Sequence, residues 1–188
     1  MRIVIHCTDA SEIAFNLDVP QAGLELLKSL KPAELFNQPQ LRVQRGKGTL
    51  VINTDLIDSI HFITDLDAGF VYQGPDKSTY PLGEAQYRKR IAELRRHYAE
   101  EANPFTPGST VMLVVALHCL SGQSYYLESE FVAAPRMDQL LSLNNMLTRI
   151  NGVIPLADGG YVVINPKRVK YMELYPAPVE TPATAWLL

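Results

Sequence analysis

Apolar and polar positions alternate in short runs along the chain, and the same succession of runs occurs twice. The β-branched stretches 2–7 and 111–119 read as strands. Each leads through a polar turn, Thr8-Asp9-Ala10-Ser11 or Ser121-Gly122-Gln123, into a second strand over 12–18 or 124–131. Helical spacing follows, with Leu24, Leu27 and Leu30 in the first half and Met137, Leu140, Leu141 and Leu147 in the second. Pro20 and Pro135 stand just ahead of these helices, where a missing N–H costs little, and Asn151-Gly152 suits a left-handed helix end. Two further strands flank the tight turns Gly46-Lys47-Gly48 and Asp158-Gly159-Gly160, and each half closes on an Ile/Val-rich strand. The pattern predicts an α+β protein made of two tandem, related ββαββ units, each an antiparallel sheet with a covering helix.

The repetition extends to residue identities. Ile3-Val4-Ile5-His6-Cys7 matches Val115-Ala116-Leu117-His118-Cys119 at a displacement of 112 positions. The same displacement sets Gly48-Thr49-Leu50-Val51-Ile52-Asn53 against Gly160-Tyr161-Val162-Val163-Ile164-Asn165. Two distant blocks in one register argue for internal duplication. The copies differ at their ends. The first carries a hairpin-like stretch over 69–81 and a long helix from about Leu82 to Glu101. The expected organisation is a first unit over 1–101, a Pro/Gly linker over 102–110, a second unit over 111–175 and a Pro-rich tail over 176–188 ending Trp186-Leu187-Leu188.

Composition narrows the class. With 188 residues, 47% hydrophobic and 20% charged, the chain is neither a disordered tail nor a disulfide-dense secreted module. No apolar run approaches the ~20 residues needed to span a bilayer, and Met1-Arg2-Ile3-Val4-Ile5-His6 does not open a secretory signal. Two cysteines fit a reducing compartment, so a cytoplasmic protein without a membrane partner is expected.

Candidate chemistry is sparse. His6, Cys7, His118 and Cys119 together offer enough ligands for a tetrahedral zinc. Neighbours on a strand point to opposite faces, however, so each copy offers a given site one ligand. A buried cysteine beside a partly exposed histidine is the expected arrangement, with no metal and no cofactor. Gly-rich phosphate loops, G-x-S-x-G and H-E-x-x-H are absent, and no catalytic residue is assigned. The long helix is more informative. Tyr87, Ile91, Leu94 and Tyr98 form one apolar stripe, and Arg88, Lys89, Arg95 and Arg96 share a broad arc beside it. Arg42, Arg45 and Lys47 add positive charge on the preceding hairpin.

Those residues also carry a likeness. Leu41-Arg42-Val43-Gln44-Arg45, then Leu50-Val51-Ile52-Asn53 and Ile57, resemble the LytTR-type DNA-binding domain, and Tyr80-Pro81-Leu82 with Tyr87-Arg88-Lys89-Arg90-Ile91 resembles its closing segment. The resemblance covers residues 1–98 and implies double-stranded DNA as partner, with Arg42, Arg45 and Lys47 near the duplex and Arg88 and Lys89 beside them. Leu156-Ala157-Asp158-Gly159 replaces the basic residues in the second half, which confines such binding to the first.

Two kinds of function are therefore expected. One is a non-enzymatic regulatory module that binds nucleic acid or a protein partner through the first unit. The other is a small-molecule sensor or minor enzyme using a cleft between the two units, since pockets favour such junctions.

Overall fold

The structure, a computed structural model, describes residues 1–45, 47–69, 76–100, 103–133 and 153–177. It is α+β, with antiparallel strand pairs throughout the described residues. The helix expected over Met137–Leu147 and the tail beyond Ala177 lie outside the described residues.

The first half runs β1 (Arg2–Cys7), β2 (Glu12–Asn16), α1 (Pro20–Ser29), α2 (Pro32–Leu35), β3 (Gln40–Arg45), β4 (Gly48–Asn53) and β5 (Ile57–Ile63). It therefore has one strand more than ββαββ, because a single 3₁₀ turn at Thr54–Leu56 separates β4 from β5. Next come β6 (Asp76–Leu82) and α3 (Glu84–His97), the latter shorter at both ends than the sequence pattern predicts. The second half contributes β7 (Thr110–Cys119), β8 (Ser124–Val132), β9 (Val153–Pro155), β10 (Tyr161–Ile164) and β11 (Val169–Tyr175).

The strands form sheets of order β2-β1-β5-β10-β9 and β11-β7-β8-β6, with β3-β4 as a separate hairpin. Each large sheet thus draws on both halves of the chain. Alternation fixes the faces. Ile3, Ile5, Ile60 and Phe62 point to one side of the first sheet, where α1, α2 and the β3-β4 hairpin cover them. Ile154, Val162 and Ile164 point to the other side and meet Leu113, Val115, Leu117 and Leu127 of the second sheet. Val114 and Ala116, on the far face of the second sheet, are covered by the Tyr87, Leu94 and Tyr98 stripe of α3. The four layers therefore run helices and hairpin, first sheet, second sheet, helix. Phe105, within the stretch expected as a linker, is buried against Phe131 of the second sheet, with ring centroids 6.3 Å apart.

Strand registers agree between the halves. Ile3 faces Phe15 and Phe62, while Val115 faces Leu127 and Leu174. The bulge of β5 leaves Asp58 unpaired between Ile57 and Ser59, and that of β11 leaves Lys170 unpaired between Val169 and Tyr171. The β1-β2 turn places Ala10 at φ 65°, and the β7-β8 turn places Gly122 at φ 92°. Asn53 and Asn165 each cap a 3₁₀ turn by accepting from the backbone two residues on, at 3.0 and 3.1 Å. Each of these pairs is separated by the 112 positions seen in the sequence.

Candidate functional site

Strand β5 reads Ile-Asp-Ser-Ile-His-Phe-Ile. Its alternation sends Ile60 and Phe62 to the helix-covered face and places Ser59 and His61 between the two sheets. There they meet Tyr125 of β8, whose hydroxyl lies 2.7 Å from His61 Nε2 and 2.8 Å from Ser59 Oγ. His6 packs on His61 with ring centroids 4.2 Å apart, and its Nδ1 lies 3.2 Å from Glu12 Oε1.

The electrostatics keep this cluster uncharged at its centre. Burial, reinforced by the neighbouring His6, pushes His61 down to about 4, against a smaller opposing pull from Asp158. Burial holds the Tyr125 phenol well above its ordinary range. Near neutral pH, Tyr125 is thus a phenol and His61 a neutral imidazole with one acceptor nitrogen. Either order of donation along Ser59, Tyr125 and His61 pairs all three groups.

His61 and Tyr125 floor a cleft of about 390 Å³, while Ser59 is itself fully buried. Residues 81–84, where β6 passes into α3, form one wall; 123–126 of the second sheet and 154–158 of the β9-β10 hairpin form the others. Both halves of the chain therefore line it. Glu84 and Asp158 bring carboxylates to the lining, which among the described residues contains no Lys or Arg. Glu84 pairs with Arg88 one turn along α3.

A glycine makes the cleft's geometry possible. Gly160 has φ +84°, and a Cβ built there would lie 2.2 Å from the Phe62 carbonyl oxygen. Only glycine lets the turn before β10 approach β5 this closely.

The basic residues singled out from the sequence separate into two groups. Arg88, Lys89, Arg95 and Arg96 are exposed on α3, outside the second sheet. Several are engaged: Lys89 lies 3.9 Å from Glu93, Arg95 sits 5.9 Å over the Tyr175 ring and Arg96 Nε donates to the Ala92 carbonyl. Arg90 is held more firmly, at 2.7 Å from Glu128 and 2.9 Å from Glu93. Arg42 and Lys47 are exposed on the β3-β4 hairpin, outside the first sheet, and Arg45 ends β3 opposite Gly48. Hairpin and α3 thus lie in opposite outer layers.

The repeated His-Cys pairs also diverge. Cys7 and Cys119 are buried free thiols, and burial pushes Cys119 up to about 12. His6 is itself buried, where a partly exposed ring was expected. His118 is instead partly exposed; its ring stacks on Tyr171 at 4.4 Å and its Nδ1 lies 2.9 Å from Ser124 Oγ. Among the described residues no group of three or more His, Cys, Asp or Glu could hold a metal ion, and no helix is long and apolar enough to cross a membrane.

Sequence reasoning did not single out Ser59, His61 or Tyr125. The signal for Ser59 and His61 was present in β5, where these two polar residues at alternate positions interrupt an isoleucine-rich strand. Comparison with family models, with curated proteins and with solved structures finds no match for this chain.

Proposed function

We propose that this chain is a binding protein built from a duplicated α+β unit, and that a small molecule occupies the cleft between the two copies. The observation that carries the proposal is the lining of that cleft, drawn from both halves and floored by the hydrogen-bonded Tyr125 and His61. The common displacement of registers, bulges and caps supports the duplication. The chemistry favours a ligand that is neutral or cationic with a flat apolar body. Tyr125, Tyr126, Pro81, Pro155 and Leu156 supply apolar surface, Glu84 and Asp158 supply negative charge, and among the described residues no Lys or Arg lines the cleft to welcome an anion.

Benzylamine and benzoate, similar in size and opposite in charge, form a suitable first probe pair in calorimetric titration at pH 7. Benzylamine should bind and benzoate should not, and Tyr125→Phe should weaken benzylamine by removing the hydroxyl at the floor. Preference for benzoate, or heat from neither, would end the proposal.

A second reading rests on the exposure of Arg88, Lys89, Arg95 and Arg96 along one helix. The LytTR-like stretch of residues 1–98 makes duplex DNA the specific partner, contacted through phosphates before base edges. Because the hairpin bearing Arg42, Arg45 and Lys47 occupies the opposite layer, α3 would carry this contact without them. Arg88→Ala with Arg95→Ala should weaken binding alike for all sequences and flatten the salt slope by about one per lost contact. Absence of duplex retention at low salt would refute it.

A further inference from the structure

A second cavity, of about 630 Å³, lies on the other face of the first sheet, beneath the β3-β4 hairpin and α1. Its lining is chemically different from that of the cleft. Ile3, Phe15, Leu30, Val43, Ile60 and Phe62 form its predominantly apolar wall, with Asn16, Gln44 and Arg42 as its polar members. Natural cores leave few voids larger than a water molecule, and a lining this apolar offers water few partners. The side chains around the opening reflect that: Leu26 remains 45% exposed, and Leu30, Leu35, Leu41 and Val43 are only partly buried although they belong to the core cluster. Among the described residues one cation borders the cavity. Arg42 lines it and makes no hydrogen bond or ion pair with any described residue. The volume falls within the ~300–1,000 Å³ usual for small-molecule sites.

We infer that this cavity takes the chain of a monomeric fatty-acid-type carboxylate, with Arg42 receiving the head group. Charge complementarity selects the occupant: an apolar tail fits the lining, and an anionic head fits the guanidinium. The site shares no lining residue with the cleft except through the strand β5, on which Ile60 and Phe62 face this cavity and His61 faces the other.

Calorimetric titration of the full chain with dodecanoate below its micelle concentration, paired with dodecan-1-ol, tests the inference. Dodecanoate should bind one per chain. Arg42→Gln should weaken dodecanoate at least tenfold while leaving dodecan-1-ol unchanged. Leu26→Glu, at a wall position already half exposed, should weaken both ligands in a chain whose circular dichroism stays native. The inference is overturned if wild type takes up no dodecanoate, if several molecules bind without saturation, or if Arg42→Gln leaves affinity unchanged. It is equally overturned by uptake of anionic phosphatidylglycerol vesicles in place of dissolved dodecanoate, which would mark a membrane surface. Leu26→Glu that preserves dodecanoate uptake and dissociates a dimer in sedimentation would assign the face to a second copy.

Discussion

Lowering the pH from 7 to 5 should destabilise this protein chiefly through His61. In the fold that imidazole titrates at about 4 in place of its ordinary 6.5, because burial and the adjacent His6 oppose its charging. The unfolded chain therefore binds a proton over a range where the folded chain does not, and stability falls as pH falls through that window. Over the whole window, a depression from 6.5 to about 4 corresponds to roughly 3 kcal/mol. Between pH 7 and pH 5 the linkage relation places about 2 kcal/mol of that loss, or about 4–8 °C in Tm for a chain of this size. Asp9 and Asp67, both held below the ordinary carboxylate value of 3.8, lose their contribution only at lower pH, so they leave this window clear.

The assay is urea unfolding followed by circular dichroism at half-unit steps from pH 7 to 4.5. His61→Gln serves as the control, since glutamine stays polar at the floor of the cleft but takes up no proton. Wild type should lose stability on acidification with an unchanged m-value, and the variant should lose much less. A wild-type midpoint that is flat from pH 7 to 5, or a variant that falls in parallel with it, would refute the assignment. The same protonation adds a positive charge to the cleft, so affinity for benzylamine should drop as pH approaches 4.

Three substitutions test other parts of the argument. Tyr125→Phe strips the hydroxyl that joins Ser59 to His61 and should cost about 1–3 kcal/mol, measured by urea unfolding, because it orphans buried polar groups. Gly160→Ala should be far more damaging than Gly159→Ala in thermal melts: both residues have positive φ, but only Gly160 meets backbone, the Phe62 carbonyl, on gaining a Cβ. Asn165→Ala should cost about 2–3 kcal/mol and Asn53→Ala about 1 kcal/mol or less; both cap a 3₁₀ turn, but buried Asn165 also donates to the Ile57 carbonyl at 2.8 Å. Equal losses in that last pair would sink the account of how the two halves interlock.

Local elements were legible in the sequence because their causes are local. Strand β1 occupies the β-branched run 2–7, and of the stripe Tyr87, Ile91, Leu94 and Tyr98 all but the partly buried Ile91 are buried. Partner choice was not legible. An amphipathic strand declares that it has an apolar face and leaves open which surface will cover it. Thus β6 pairs with β8 across about 50 residues, and β10 pairs with β5 across about 100. One hint distinguished β10 from its counterpart β4. Tyr161-Val162-Val163-Ile164 is apolar at every position and buried on both sides, whereas Thr49 and Val51 of β4 are exposed. Continuous burial marks a strand between two layers. The basic cluster failed to assemble for a related reason, since alternation and helical spacing place charges on a face but do not place faces beside one another.

That difference between β4 and β10 decides which of the two strands crosses to the other half of the chain among the described residues. At the common displacement, β10 corresponds to β4 and β11 to β5. Docking of β10 on β5 extends the first sheet and brings the turn before β10 against Phe62, beside His61. Among the described residues the reciprocal contact, β4 on β11, is not made: β11 ends its sheet, and β4 pairs with β3. The Asn165 side chain consequently reaches the Ile57 carbonyl across the junction, while Asn53 stays exposed and caps only its own turn. Glu173 occupies the position of His61 on β11, and it contacts Tyr87 and His118 on the α3 side. A duplicated fold with a reciprocal exchange would present two equivalent clefts. Here the exchange runs one way, and the polar trio stands on the side where it occurs.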